Sequence, residues 1–211
     1  MSSIPTALNT ISGFRGMKLY LWTILAAVPT VIATTCCGQS GGTSKTLEVT
    51  PYIQEGYYTC WAVCFEMIID YVGGERIRQC EQAGLAKESD LCCVNDGLLN
   101  EECDFQWFPM FAEWGFPRKF RRTPLSWGEL KTEINEGRPI AFAWLKNPPV
   151  AHMNVIVGYQ EHPSGAKEIE YLEPNFEDDT SFKTTAFEDY NGTSGRYGHH
   201  SNYFRIGATG P

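Results

Sequence analysis

Apolar residues change their spacing once along this chain, and that change narrows the folds open to it. Over residues 59–136 they recur at helical intervals, and over 139–206 they come in runs of strand length. Within 59–71, Trp61, Phe65, Ile68 and Ile69 share a helical face, and Gly73-Gly74 ends the helix. Residues 79–86 predict a second short helix, and 105–114 a third that stops at Gly115-Phe116-Pro117. Ser126-Trp-Gly-Glu129 has the pattern of a capping box, opening a helix that runs to Glu136. Residues 139–145, 152–158, 168–172 and 203–206 read as strands, and 91–104 as a Cys-rich loop. Helices lead and strands follow, which predicts an α+β fold: an N-terminal helical half packed on a C-terminal antiparallel β-sheet. A chain of 211 residues with 43% hydrophobic side chains suffices for one such domain.

The N-terminus carries a different message. Met17-Lys18 precedes an apolar run of about 14 residues, 19–32, broken by Pro29. A bilayer span needs roughly 20. A basic residue, a short apolar run and then small residues make a secretory leader. Residues 1–36 are therefore expected to be a signal peptide, with Met17 a candidate for the true start. Two processing routes fit. Val31-Ile32-Ala33 suits an ordinary signal peptidase, whereas Ala33-Thr34-Thr35-Cys36 resembles a bacterial lipoprotein signal that would anchor the protein to a membrane through lipidated Cys36. Residues 37–46 then read as a flexible tether and 47–211 as the working domain. The expected location is extracytoplasmic: periplasm, cell surface or secreted. Without the leader, 15 Lys+Arg face 25 Asp+Glu, a net of −10 against −8 for the whole chain. A nucleic-acid binder needs a basic surface, so nucleic acid is not an expected partner.

In an exported protein, Cys80, Cys92, Cys93 and Cys103 predict two disulfides. Adjacent cysteines rarely bridge each other. Two pairings stay open: 80–92 with 93–103, or 80–93 with 92–103. The spacing lacks the C-x-x-C knuckle of a structural zinc site. Cys64 reads as core packing; a Cys60–Cys64 bridge would block any thiol chemistry. The basic cluster at 118–122 reads as a solvated face and His199-His200 as a loop pair. Trp107, Phe108, Phe111 and Trp114 read mostly as core, with one available to line a groove.

Three residues point to chemistry: Gln54, Cys60 and His152. Cys60 opens the first helix, where unpaired N–H groups and the helix dipole favour a thiolate, the nucleophilic form. His152 opens a strand after the Pro148-Pro149 turn and can take the thiol proton. Gln54, six residues before Cys60, can donate to a developing oxyanion, with the Cys60 N–H as second donor.

These residues resemble a known family. Gln54-Glu-Gly-Tyr-Tyr-Thr-Cys60-Trp61-Ala62 is similar to the active-site segment of papain-like cysteine peptidases. Gly137-Arg-Pro-Ile140, a strand, and Ala151-His152-Met-Asn-Val-Ile-Val-Gly158-Tyr159 resemble their His segment. Gln79-Cys80, Cys92-Cys93 and Cys103 resemble a Cys arrangement of secreted bacterial members. The resemblance covers residues 50–175. It implies a papain-like fold with Cys60 as nucleophile, His152 as general base and acid, and Gln54 as oxyanion donor. It also implies an acidic residue orienting His152, matched by Glu173 in Leu172-Glu173-Pro174. Bacterial relatives more often have Asp there, and larger papain relatives use Asn, which makes Asn175 the alternative. The implied activity is peptide-bond hydrolysis through a thioester on a peptide or protein substrate, by a monomer with no metal or organic cofactor. Two alternatives stand beside it: a related thiol amidase or transpeptidase, and a catalytically silent, disulfide-braced surface lipoprotein that binds a partner.

Overall fold

The computed structural model describes residues 42–147, 150–175 and 181–207. The expected signal peptide lies outside the described residues. Along the chain come strand β1 (Thr43–Thr46), helices α1 (Cys60–Tyr71) and α2 (Gln79–Lys87), and a small hairpin of β2 (Cys93–Val94) and β3 (Leu98–Leu99). Then follow β4 (Lys119–Arg121), α3 (Trp127–Asn135), β5 (Ile140–Asn147), β6 (Val150–Glu161), β7 (Lys167–Glu173), β8 (Ser181–Ala186), α4 (Phe187–Tyr190) and β9 (Gly198–Phe204). The larger sheet is antiparallel in the order β4-β9-β5-β6-β7-β8, with β1 also on β6. The α+β organisation read from the spacing is what the chain adopts.

Strand β6 organises the molecule. Its residues 153–159 are all buried, so both of its faces are covered. Strand β5 pairs with its first part, from Val150 to Ile156. Strand β1 takes up the same side from Gly158 to Glu161. The tether expected over 37–46 therefore gives way to sheet at Thr43. Its Thr-Ser-Lys-Thr sequence is polar and mostly exposed, because the backbone of β6 rather than an apolar face recruits it. On β5, Phe142 and Trp144 meet the Tyr171 ring edge-on, and Phe142 also meets Tyr190. Ala143 points the other way and shares a cavity with Cys60.

Helix α1 is buried along residues 61–69, as a helix that is apolar nearly all round must be. Its one buried acid, Glu66, is met by Arg76 at 2.7 Å and by Gln79 Nε2 at 3.1 Å. Helix α3 starts on the Ser126/Glu129 capping box foreseen from the sequence. The four cysteines form Cys80–Cys93 and Cys92–Cys103, the second of the two open pairings.

Two expectations are corrected. Residues 105–110 are irregular and 111–115 form a turn, not a helix. Pro109 removes a backbone donor and disfavours helical geometry at Phe108. Phe111 enters the core, while Trp107 and Phe108 remain 44% and 53% exposed. His199-His200 is not a loop pair but part of β9.

His199 sits in a satisfied network. Its Nδ1 donates to the Tyr190 carbonyl at 3.1 Å, and Asn202 Nδ2 donates to its Nε2 at 3.0 Å. Asn202 Oδ1 accepts the Tyr190 hydroxyl at 2.7 Å, and that hydroxyl accepts the Leu125 N–H at 3.0 Å. Burial holds the His199 pKa down to about 4. A proton on Nε2 would face a donor. An unfolded His titrates near ~6.5, so the unfolded chain takes the proton first. This contribution is complete above that pH and is lost as pH falls toward 4, up to about 2–3 kcal/mol. Urea titrations of wild type and His199→Gln across pH 7 to 4 should show a shallower loss in the variant over that window. Parallel curves would contradict the assignment.

Candidate active site

The segment before α1 is built almost entirely from backbone groups held by neighbouring side chains. Gln79, at the start of α2, donates from Nε2 to the Ile53 carbonyl at 2.8 Å and accepts the Glu55 N–H on Oε1 at 2.9 Å. Glu55 in turn accepts the Leu99 N–H at 2.8 Å. Asp104 accepts the N–H groups of Tyr57 and Tyr58 at 2.8 and 2.7 Å. The approach is close: a Cβ on Gly56 would lie 2.5 Å from Asp104 Oδ1, so only glycine fits there. Thr59 is the N-cap of α1 but makes no side-chain cap; its Oγ1 turns back to accept the Gly56 N–H at 3.0 Å. The first N–H groups of α1 are thus left to the sulfur of Cys60.

The sulfur of Cys60 receives backbone N–H groups from Met153, Trp61 and Cys60 itself. Met153 follows His152 on β6, so the head of α1 meets the start of that strand. Burial pushes the Cys60 thiol above its ordinary value and outweighs the three N–H groups, which pull the other way; the charge of Asp104 adds to the rise. Cys64, one turn further on, is fully buried and its thiol is pushed well up. Both cysteines are free.

A cavity of about 220 Å³ is lined by Gln54, Cys60, His152 and Asn175, with Tyr57, Tyr58 and Pro174 around them. The residues singled out from sequence, far apart along the chain, therefore converge. Glu173, at the end of β7, places Oε1 at 3.6 Å from His152 Nε2. Its Oε2 accepts Lys183 Nζ at 2.5 Å. Gln54 is buried, and its Nε2 donates to the carbonyls of Gly56 and Tyr57 at 2.5 and 2.9 Å. An oxyanion role for Gln54 requires one of those two bonds to be exchanged for substrate.

Cys60 also borders a second, larger cavity of about 400 Å³. Ala143, Ala151 and Met153 form part of its wall, and Trp107, Phe108 and Tyr203 contribute aromatic surface. Cys60 thus borders both cavities. Sequence reasoning overlooked Gln79 and Asp104. One signal was available for each: both abut a cystine half, Cys80 and Cys103. Among the described residues, no group of three or more His, Cys, Asp or Glu side chains is placed to hold a metal ion.

The family model described as papain-like cysteine protease AvrRpt2 matches residues 43–192, a span that includes Gln54, Cys60, His152, Glu173 and Asn175. A search of curated proteins found no match.

Proposed function

The chain belongs to the papain-like cysteine protease AvrRpt2 family, and from that premise we propose that it hydrolyses peptide bonds through a thioester on Cys60. The Cys60 sulfur attacks the substrate carbonyl carbon and its proton passes to His152. The resulting oxyanion takes the Cys60 N–H and, after exchange of one bond, the Gln54 amide. The C–N bond then breaks as His152 returns the proton to the leaving amine. Water, deprotonated by His152, attacks the thioester, and the acid leaves as the thiol is restored. Glu173, facing His152 Nε2, supports the imidazolium and leaves Nδ1 as the nitrogen that exchanges the proton. The observation that carries this reading is the cavity shared by Cys60, His152 and Gln54.

A thiol raised by burial is present at neutral pH mainly in its protonated form, so alkylation should accelerate as pH rises and should depend on His152. Iodoacetamide treatment followed by peptide mapping should label Cys60 ahead of buried Cys64, and His152→Ala should suppress that labelling. Equal labelling of both thiols, or labelling indifferent to His152, would remove the basis for the mechanism. A silent binding module gains no support, since the Cys60–Cys64 bridge that would favour it is absent among these two free thiols. We also propose export, with residues 1–36 as leader and lipidation at Cys36 as one route. The two cystines support an oxidising compartment.

A further inference from the structure

The residues on either side of strand β4 bring charge to a cavity whose lining is otherwise mostly apolar, with His200 and Ser201 as further polar groups. Arg118, immediately before β4, Phe120 within it and Arg122, immediately after it, all line the larger cavity beside Cys60. The intervening residue, Arg121, points away and is held by Glu129 at 2.9 Å. The protein is acidic, with a net charge of −8, so a carboxylate partner is normally close to hand. Arg76, Arg78, Arg121, Arg138, Arg196 and Arg205 each have one within 4 Å. Among the described residues, Arg118 and Arg122 are the two arginines without such a partner. Arg118 instead lies over the Tyr203 ring, 5.7 Å from its centroid. Both guanidiniums are exposed at the cavity, beside Phe120 at 45% and Phe108 at 53% exposure.

We infer that this cavity selects peptides in which a bulky apolar side chain is flanked, within two positions, by aspartate or glutamate. The inference rests on the peptidase reading and names its substrate class. The apolar side chain fills the space between Met153, Phe108 and Tyr203. The carboxylate reaches the fork of Arg118 or Arg122, which can bind it through two parallel N–H bonds. A lysine in the same place meets two uncompensated positive charges and is rejected, so selection works by repulsion as well as attraction. The reading of 118–122 as a solvated face holds for Arg118, Lys119 and Arg122, which are exposed; what it did not reveal is that Arg118 and Arg122 border the cavity beside Cys60.

The test is to digest a peptide library, prepared from a denatured proteome, with the full chain and to read the new termini by mass spectrometry. Matched quenched-fluorescent peptides carrying Asp, Asn or Lys at the enriched position then give kcat/KM. The expected result is acidic enrichment at one fixed distance from the cleaved bond. Asp should exceed Lys by about tenfold, a ratio that shrinks with added salt because exposed charges are screened. Arg118→Glu with Arg122→Glu should invert the ratio, and the doubly glutamine-substituted variant should bring it near one. Cleavage indifferent to charge, or a ratio unmoved by either pair of substitutions, overturns the inference while leaving the peptidase reading intact. No cleavage of any library peptide by wild type overturns both.

Discussion

Cys60→Ala and His152→Ala should each lower peptide turnover by about 10³-fold or more, with circular dichroism unchanged. In the proposed mechanism the nucleophile and the proton carrier act as one unit, so the double variant should lose scarcely more than either single one. Cys60 is only partly buried and His152 lies at a cavity wall, so neither truncation hollows the core. The same assay separates the two candidates for the third residue. Glu173 faces His152 Nε2 at 3.6 Å, whereas Asn175 is exposed on the cavity wall. Glu173→Gln removes a negative charge beside the imidazole, so the imidazolium loses support and its pKa falls. The acidic limb of the kcat/KM profile should then move to lower pH, and turnover should drop by about tenfold to a hundredfold. A profile that moves in Asn175→Ala and not in Glu173→Gln would reassign the role.

The elements that sequence patterning predicted are those whose stability is local or periodic. Helix α1 carries its apolar face in its own spacing, α3 its capping box, and β5, β6 and β7 their long apolar runs. The elements that patterning missed depend on partners. Strand β1 is polar and exists because β6 offers an unpaired backbone edge. Strand β4 has three residues and reads as a basic cluster until β9 pairs with it. Residues 105–114 mislead because aromatic spacing there mimics a helix, while Pro109 forbids one and the cleft takes Trp107 and Phe108. The site divides in the same way. Cys60, His152 and Gln54 announce themselves by residue type, since few other residues do that chemistry. Gln79 and Asp104 act through backbone N–H and carbonyl groups, which leave no mark in the sequence at the positions they hold.

That dependence on Asp104 and Gln79 gives the cystines a direct bearing on activity. Cys80–Cys93 and Cys92–Cys103 close loops with sequence separations of 13 and 11 residues. Loops of this size are worth about 3 kcal/mol each, against a total stability of about 5–15 kcal/mol for a typical domain. The apolar support around them is small, an Ala83, Cys92 and Cys103 cluster with Leu99 and Phe105 beside it. Reduction should therefore loosen residues 79–104 before it unfolds the sheet. It would release the hydrogen bonds to residues 53, 55, 57 and 58 that shape the approach to Cys60. The dependence of activity on dithiothreitol should then be bell-shaped: low concentrations protect the Cys60 thiol, and higher ones that cleave the cystines abolish turnover. Asp104→Ala should reproduce the loss under oxidising conditions, lowering kcat by about 10²-fold, since two buttressing hydrogen bonds to charged oxygen go at about 1.5–3 kcal/mol each. Asp104→Asn isolates position from charge. It keeps the size and one acceptor, and removes a negative charge that raises the Cys60 pKa, so its alkylation profile should shift to lower pH. Activity that survives full cleavage of both cystines, shown by mass, would mean that the sheet alone positions the thiol.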